Sequence, residues 1–233
     1  MKVFSALLNL LFPPKCMFCH RLLHKGEESV CPSCAASLPI KEKAVREQRL
    51  RGISLCTSAF LYEGDVRQSL HRYKFGGCAF YAQNYAEMMA SLFDAEELAC
   101  DMISYVPLSR KRRRKRGYDQ AQLLAEHLSR LTGIPCVCTL QKLRNTAAQS
   151  GTEGKAQRYE NIHGAYRAIH TEDFSGREIL LVDDIVTTGA TLEECAAVLL
   201  ASGAKAVKAA TAARTNIRSA SSMPADRRQH DNL

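Results

Sequence analysis

Apolar positions along the chain gather in short blocks whose spacing switches between that of strands and that of helices. Residues 55–62 form a near-continuous apolar run that predicts a strand, and residues 65–73 set Val66, Leu70 and Tyr73 on one face of a short helix. Residues 81–93 predict a stronger amphipathic helix, and residues 103–106 a buried strand stopped by Pro107. Helical spacing over 119–131, with Asp119 as N-cap and Gly133 as the stop, predicts the next helix. A short strand follows at 137–140, a continuous apolar strand at 179–182, a helix over 191–202 ended by Gly203, and a last strand at 207–212. Strands alternating with helices in this way give an α/β architecture, a parallel sheet with helices on both faces.

Polar stretches divide that frame. Residues 41–51 are charged with few apolar positions, which separates a small leading segment, 1–45, from a main domain, 46–214. Residues 144–159 hold Gly151 and Gly154 and follow neither period, so they read as a long surface loop, which inside a compact domain is more often a functional flap than filler. Residues 215–233 have almost nothing to bury and read as a disordered tail. The apolar run at 3–12, broken by Ser5 and Asn9, reads as a short helix and is too short to span a bilayer. It lacks a small-x-small cleavage pattern, and no other segment approaches a span, so a cytoplasmic location with reduced thiols is expected.

Composition changes this picture in three ways. Hydrophobic residues at 46% and charged residues at 24% sit near the soluble globular average and exclude wholesale disorder. The absence of Trp and an aromatic content of 7% argue against an aromatic platform for stacking bases. Lys+Arg 32 against Asp+Glu 24 gives a net charge of +8, which favours anionic partners without separating nucleic acid, nucleotide and phosphate.

Four of the ten cysteines form Cys16-x-x-Cys19 and Cys31-x-x-Cys34. Each pair folds into a knuckle that aims two thiolates at one point, and two knuckles complete a closed tetrahedral site suited to structural Zn2+. His20 and His24 read as solvated, and the six scattered cysteines as small core side chains.

The most informative stretch is I-L-L-V-D-D-I-V-T-T-G-A-T, residues 179–191. A buried strand ends in Asp183 and Asp184, and a small polar turn opens a helix whose first N–H groups and dipole converge on one point. Thr187, Thr188 and Thr191 add hydroxyls, Gly189 permits a positive φ or close approach, and Ala190 keeps the turn open. The product is a phosphate cup beside two carboxylates, which need a partner of their own: ribose hydroxyls, Mg2+, or both. Neither a Walker A loop nor a G-x-G-x-x-G fingerprint is present.

This stretch resembles the phosphoribosyl-pyrophosphate (PRPP) motif of type I phosphoribosyltransferases. The resemblance implies that Asp183 and Asp184 hold the ribose hydroxyls, that Thr187, Thr188, Gly189, Ala190 and Thr191 hold the 5′-phosphate, and that Mg2+ accompanies PRPP. The paired cysteine knuckles, Tyr62-Glu-Gly, Tyr73-Lys74-Phe75-Gly76 and Val106-Pro107-Leu108 stand in the same order as in the ComF (ComFC/GntX-like) competence family. So do Arg116-Gly-Tyr-Asp-Gln, Arg144-x-Thr-x-x-Gln-Ser and Arg158-x-x-Asn161, over about residues 8–214. Membership in that family implies a link to DNA uptake or use of external DNA. Two departures stand out: Asp119 where Asn is common, and Thr152-Glu153 in place of an apolar residue.

Arg110, Lys111, Arg112, Arg113, Arg114, Lys115 and Arg116 are seven consecutive cations, nearly the whole net charge. Following the 103–106 strand, they read as a basic loop for pyrophosphate, with Arg116 joining Asp183 and Asp184 in the catalytic set, or for nucleic-acid phosphates. Lys74 reads as a surface lysine or one reaching the ligand, and Arg144 and Arg158 as loop arginines able to close on a phosphate. Two functions stay open: displacement of pyrophosphate from PRPP by a nitrogen nucleophile, or a non-catalytic adaptor that binds PRPP and single-stranded DNA and docks on a helicase-like partner. Nucleobase salvage is weaker, because residues 55–75, where a base-binding hood is expected, carry no base-recognition pattern.

Overall fold

The computed structural model describes residues 13–38, 47–144 and 155–215. The expected N-terminal helix, most of the tail and residues 145–154 of the polar segment therefore lie outside the described residues. The frame is a five-stranded sheet in the order β1 (Gln48–Leu50), β2 (Ile53–Leu61), β7 (Ala206–Arg214), β6 (Glu178–Val186) and β3 (Met102–Tyr105). All neighbours pair in parallel except β1, which folds back antiparallel on β2.

Alternation along the central strands sorts the core into two layers. One face of the sheet, with Phe60, Leu180 and Val182, packs on α2 (Gly64–Phe75), α3 (Tyr81–Leu92) and α6 (Gln120–Thr132). The other, with Ile179, Leu181 and Ala209, packs on α9 (Ala190–Ala201) and on a hairpin of β4 (Leu140–Lys142) and β5 (Tyr166–Ala168). Asp119 caps α6 by accepting from the Gln122 N–H at 3.4 Å, and Gly133 closes it at φ 75, both as the sequence predicts.

β1 stands inside the expected main domain 46–214, with Leu50 buried. Four expectations are corrected. The strand expected at 137–140 lies at Leu140–Lys142, and upstream of it Cys136 makes only an isolated parallel bridge to Ile103. The last part of the polar segment is helical, α7 (Lys155–Ile162). Residues 55–75 form no hood: they are β2, paired along its length with β7, and α2.

The basic run is also not a loop. It is helix α5 (Arg110–Arg116), with Ser109 accepting from the Arg112 N–H and Gly117 closing it at φ 83. Arg and Lys are good helix formers, and the cations of its last turn sit at the negative end of the helix dipole. Helical phase then divides the run: Arg112 and Arg116 are half-buried, and the other five are exposed.

The cysteine segment docks on the α2–α3 layer rather than standing apart. Phe18, fully buried, makes edge contacts to Phe60 at 5.9 Å and Tyr85 at 6.2 Å, and the Arg72 guanidinium donates to the Met17 and Phe18 carbonyls. A segment too small to bury a core of its own shares that of its neighbour.

Candidate functional site

β6 runs through both acids to Val186, four residues beyond the expected end at 182, and carries Asp183 and Asp184 to the carboxyl end of the sheet. Adjacent strand residues point to opposite faces. Asp184, on the Leu180/Val182 side, therefore meets α2, where Lys74 Nζ lies 2.9 Å from its Oδ1. Asp183, on the Ile179/Leu181 side, accepts from the Asp184 N–H at 2.8 Å. Burial, with the adjacent Asp184 charge adding to it, pushes the Asp183 carboxyl up to about 8. The repulsion that two carboxylates would exert on an anion is thus reduced within the chain: Lys74 pairs with one, and burial raises the carboxyl of the other.

Beyond Val186 the turn reaches Gly189 at φ 87, the N-cap of α9. Thr187 is exposed, Thr188 and Thr191 are half-buried, and the Ala190 N–H donates to Thr188 Oγ1 at 3.4 Å. A Cβ on Gly189 would stand 2.2 Å from Leu50 Cδ2, so β1 sits directly under the cup. Residues 187–191 and Leu192 line the opening, at the positive end of the α9 dipole.

The opposite wall follows β3. Val106, Pro107 and Leu108 lead into α5, and the Leu108 N–H donates to Asp119 Oδ2 at 2.7 Å. Burial raises the Asp119 carboxyl. The residue that departs from the usual Asn thus caps α6 and fixes the loop ahead of α5. Arg116 donates to Gln120 Oε1 at 2.7 Å and lies 4.9 Å over the Phe75 ring, and burial lowers the Arg112 guanidinium. From the β4–β5 hairpin, Lys142 Nζ donates to the Tyr166 hydroxyl at 2.8 Å.

These walls enclose a cavity of about 380 Å³ lined by Lys74, Arg112, Arg116, Asp183, Asp184 and the whole turn 187–191. Of the residues singled out in the sequence, Arg144 is not brought to this cavity: it is exposed and donates to the His163 carbonyl. Arg110, Lys111, Arg113, Arg114 and Lys115 face solvent. Lys142, Tyr166 and Asp119 line the cavity without having been singled out for it; only the family motif around Asp119 carried a signal.

The four knuckle cysteines bring their sulfur atoms within 4.8 Å of one another, with Cys19 and Cys31 Sγ 3.8 Å apart. Corners of a tetrahedron around Zn2+, with Zn–S of about 2.3 Å, stand about 3.8 Å apart, so the donor set fits the metal. The Cys31 N–H donates to Cys16 Sγ and the Cys34 N–H to Cys31 Sγ, both at 3.4 Å. Arg21 beside Cys31 pulls that thiol down to about 6. His20 takes the left-handed conformation, φ 65, that turns the chain after the first knuckle.

Comparison with known proteins agrees with both parts. Residues 114–228 match the phosphoribosyl transferase domain and residues 7–45 the double zinc ribbon domain. Competence protein ComFC of Bacillus subtilis is 29% identical over 206 residues, 84% of this chain and 82% of that one. Competence protein F of Haemophilus influenzae is 37% identical over 105 residues, 44% of this chain and 45% of that one. The DNA utilization protein YhgH of Escherichia coli is 36% identical over 118 residues, 49% of this chain and 50% of that one. The chain is a homologue of these competence and DNA-utilisation proteins.

Its alignment spans about half the length of the Haemophilus and Escherichia relatives and most of the Bacillus one. An adenine phosphoribosyltransferase structure from Thermoanaerobacter pseudethanolicus superposes with a TM-score of 0.38 at 16% identity, covering 60% of this chain and 83% of that one. The transferase-domain match begins inside α5, so Lys74, the partner of Asp184, lies outside it. Structural zinc is supported by the ribbon match and the four-sulfur cluster together. No helix among the described residues is long and apolar enough to cross a membrane.

Proposed function

We propose that this competence-protein homologue binds PRPP together with Mg2+, and that the bound phosphoribosyl group serves its part in DNA uptake or use. One observation carries the reading: the Gly189-capped turn, both acids, and Arg112 and Arg116 of α5 line one cavity at the carboxyl ends of β6 and β3. In this reading residues 187–191 take the 5′-phosphate, Asp183 and Asp184 the ribose hydroxyls, and Arg112 and Arg116 the pyrophosphate. Mg2+ would be held chiefly by the diphosphate oxygens beside the acids, and would supply further charge neutralisation there. The chain's own contribution to any transfer would be positioning and electrostatic support of a departing diphosphate.

Calorimetric titration with PRPP and Mg2+ tests this against Asp183→Asn/Asp184→Asn. Tight binding to wild type and loss in the double variant are expected; equal affinity in both would overturn the ribose contacts.

The outward face of α5 favours a second role, contact with nucleic-acid phosphates, because five of its seven cations are exposed. Reversing Arg113, Arg114 and Lys115 to Glu is expected to flatten the salt dependence of single-stranded DNA binding and leave ribose 5-phosphate binding unchanged. Docking of the ribbon on a helicase-like partner is tested by substituting exposed Lys15, Leu22 or Lys25. Deleting the ribbon would also strip Phe18 from the core.

A further inference from the structure

The cations around the cavity are not equivalent. Lys74 pairs with Asp184, and Arg116 donates to Gln120 and lies over the Phe75 ring, keeping further donors for a ligand. Lys142, half-buried on β4, lines the same cavity; its Nζ donates to the Tyr166 hydroxyl and lies 4.8 Å from that ring's centre, and among the described residues no carboxylate lies within ion-pair distance of it.

The charged and titratable groups that face it are Arg112 of α5, Cys195 of α9, Asp183 of β6, Asp119 ahead of α6, and Tyr166. Of these, Arg112 is a second cation, and it lines the same cavity as Lys142. An ammonium drawn half out of water opposite another cation is an unfavourable arrangement for the empty pocket, and an arriving anion relieves it.

From this geometry we propose that Lys142, oriented by Tyr166 and facing Arg112, is a diphosphate-binding residue of the cavity, supplied by the β4–β5 hairpin. The assignment rests on the phosphoribosyl reading of the pocket and extends it to a residue outside the acid pair, the threonine cup and the basic helix. Tyr166 is then a positioning residue: its hydroxyl takes one ammonium proton and leaves two for the ligand. Consistent with an ammonium waiting for its anion, burial, reinforced by the Arg112 charge, lowers Lys142 to about 8.

The test is calorimetry of the full chain with pyrophosphate plus Mg2+ and, separately, with ribose 5-phosphate. Lys142→Met is expected to weaken pyrophosphate about 10- to 100-fold, the loss of one charge-assisted contact, while ribose 5-phosphate changes less than about threefold. Lys142→Arg keeps pyrophosphate binding within a few-fold at pH 7. The wild-type affinity relative to that arginine variant then declines from pH 7 to 9.5 as Lys142 loses its proton.

A Lys142→Met protein that binds pyrophosphate as wild type does, or that loses both ligands equally, overturns the assignment. Should that variant fail to fold, the pH arm decides, and parallel profiles for wild type and Lys142→Arg overturn it. If wild type binds ribose 5-phosphate but not pyrophosphate, this assignment alone falls. If it binds neither, the phosphoribosyl reading falls with it.

Discussion

Replacing Lys74 by Met removes a charge and keeps most of the side chain's volume, so it isolates the ion pair that shields the pocket's acids. The pair is 2.9 Å long, with side-chain exposures of 19% for Lys74 and 11% for Asp184. At an effective dielectric of about 20 the bare attraction is about 6 kcal/mol. Desolvation of both partners offsets part of it, and breaking a fully buried pair costs about 3–5 kcal/mol. The residual exposure here brings the expected loss for Lys74→Met down to about 2–3 kcal/mol.

The chain has no Trp, so urea unfolding is followed by far-ultraviolet circular dichroism. Asp184→Asn leaves Lys74 able to turn toward water and costs about 1 kcal/mol, and the double variant costs less than the two singles together, with a coupling of about 1–2 kcal/mol. Ribose 5-phosphate should bind Lys74→Met about tenfold more weakly, because an uncompensated carboxylate then faces an anion. A coupling below about 0.3 kcal/mol, or a Lys74→Met protein that binds the ligand more tightly, would refute the claim that Lys74 is what lets two acids sit beside a phosphate cup.

Three further outcomes are expected. Gly189→Ala places a Cβ 2.2 Å from Leu50 Cδ2 at φ 87 and should cost about 2–4 kcal/mol in urea unfolding, with loss of ribose 5-phosphate binding by calorimetry. Because Asp183 is raised from 3.8 to about 8, the native state binds the extra proton in that window, so its contribution to stability falls as pH rises through it. Asp183→Asn should flatten that slope in melting temperatures taken from pH 4 to 8. Stripping the ribbon's metal with a chelator frees the knuckle that seats Phe18 between Phe60 and Tyr85, and should lower the melting temperature by about 10 °C.

What the sequence made legible was whatever a short window encodes. The 179–191 stretch contains a strand, its terminal acids and a helix cap within thirteen consecutive positions, and the structure builds them as one unit. The knuckles are legible for the same reason, since each is closed by its own spacing. Lys142 was not, because nothing near it in sequence marks it: its value comes from Tyr166, twenty-four residues on, and from Arg112 on another layer.

The basic run misled for a different reason. Seven cations have no apolar period to reveal a helix, so only the cap at Ser109 and the stop at Gly117 signal one, and helical phase is what separates Arg112 and Arg116 from their neighbours. Leu50 was hidden by the charge around it, though it packs against Gly189, whose φ of 87 already favours glycine.

Helix α2 joins the two halves of the molecule. Near its start Asp65 approaches Cys34 Sγ at 3.9 Å; near its end Arg72 grips the carbonyls of the first knuckle, and two residues later Lys74 holds Asp184. Between Arg72 and Lys74 stands Tyr73, whose hydroxyl donates to the Gln120 carbonyl at the start of α6. The placement of the Lys74 ammonium therefore depends on a helix end fixed from three sides: by the ribbon, by α6 and by the sheet. Packed elements of this kind transmit displacement because interiors are dense and poorly compressible. A ribbon that supplied metal binding alone would have no reason to bury Phe18 in the same layer that aims Lys74. Its position under α2 makes it part of the scaffold that sets the charge of the cavity.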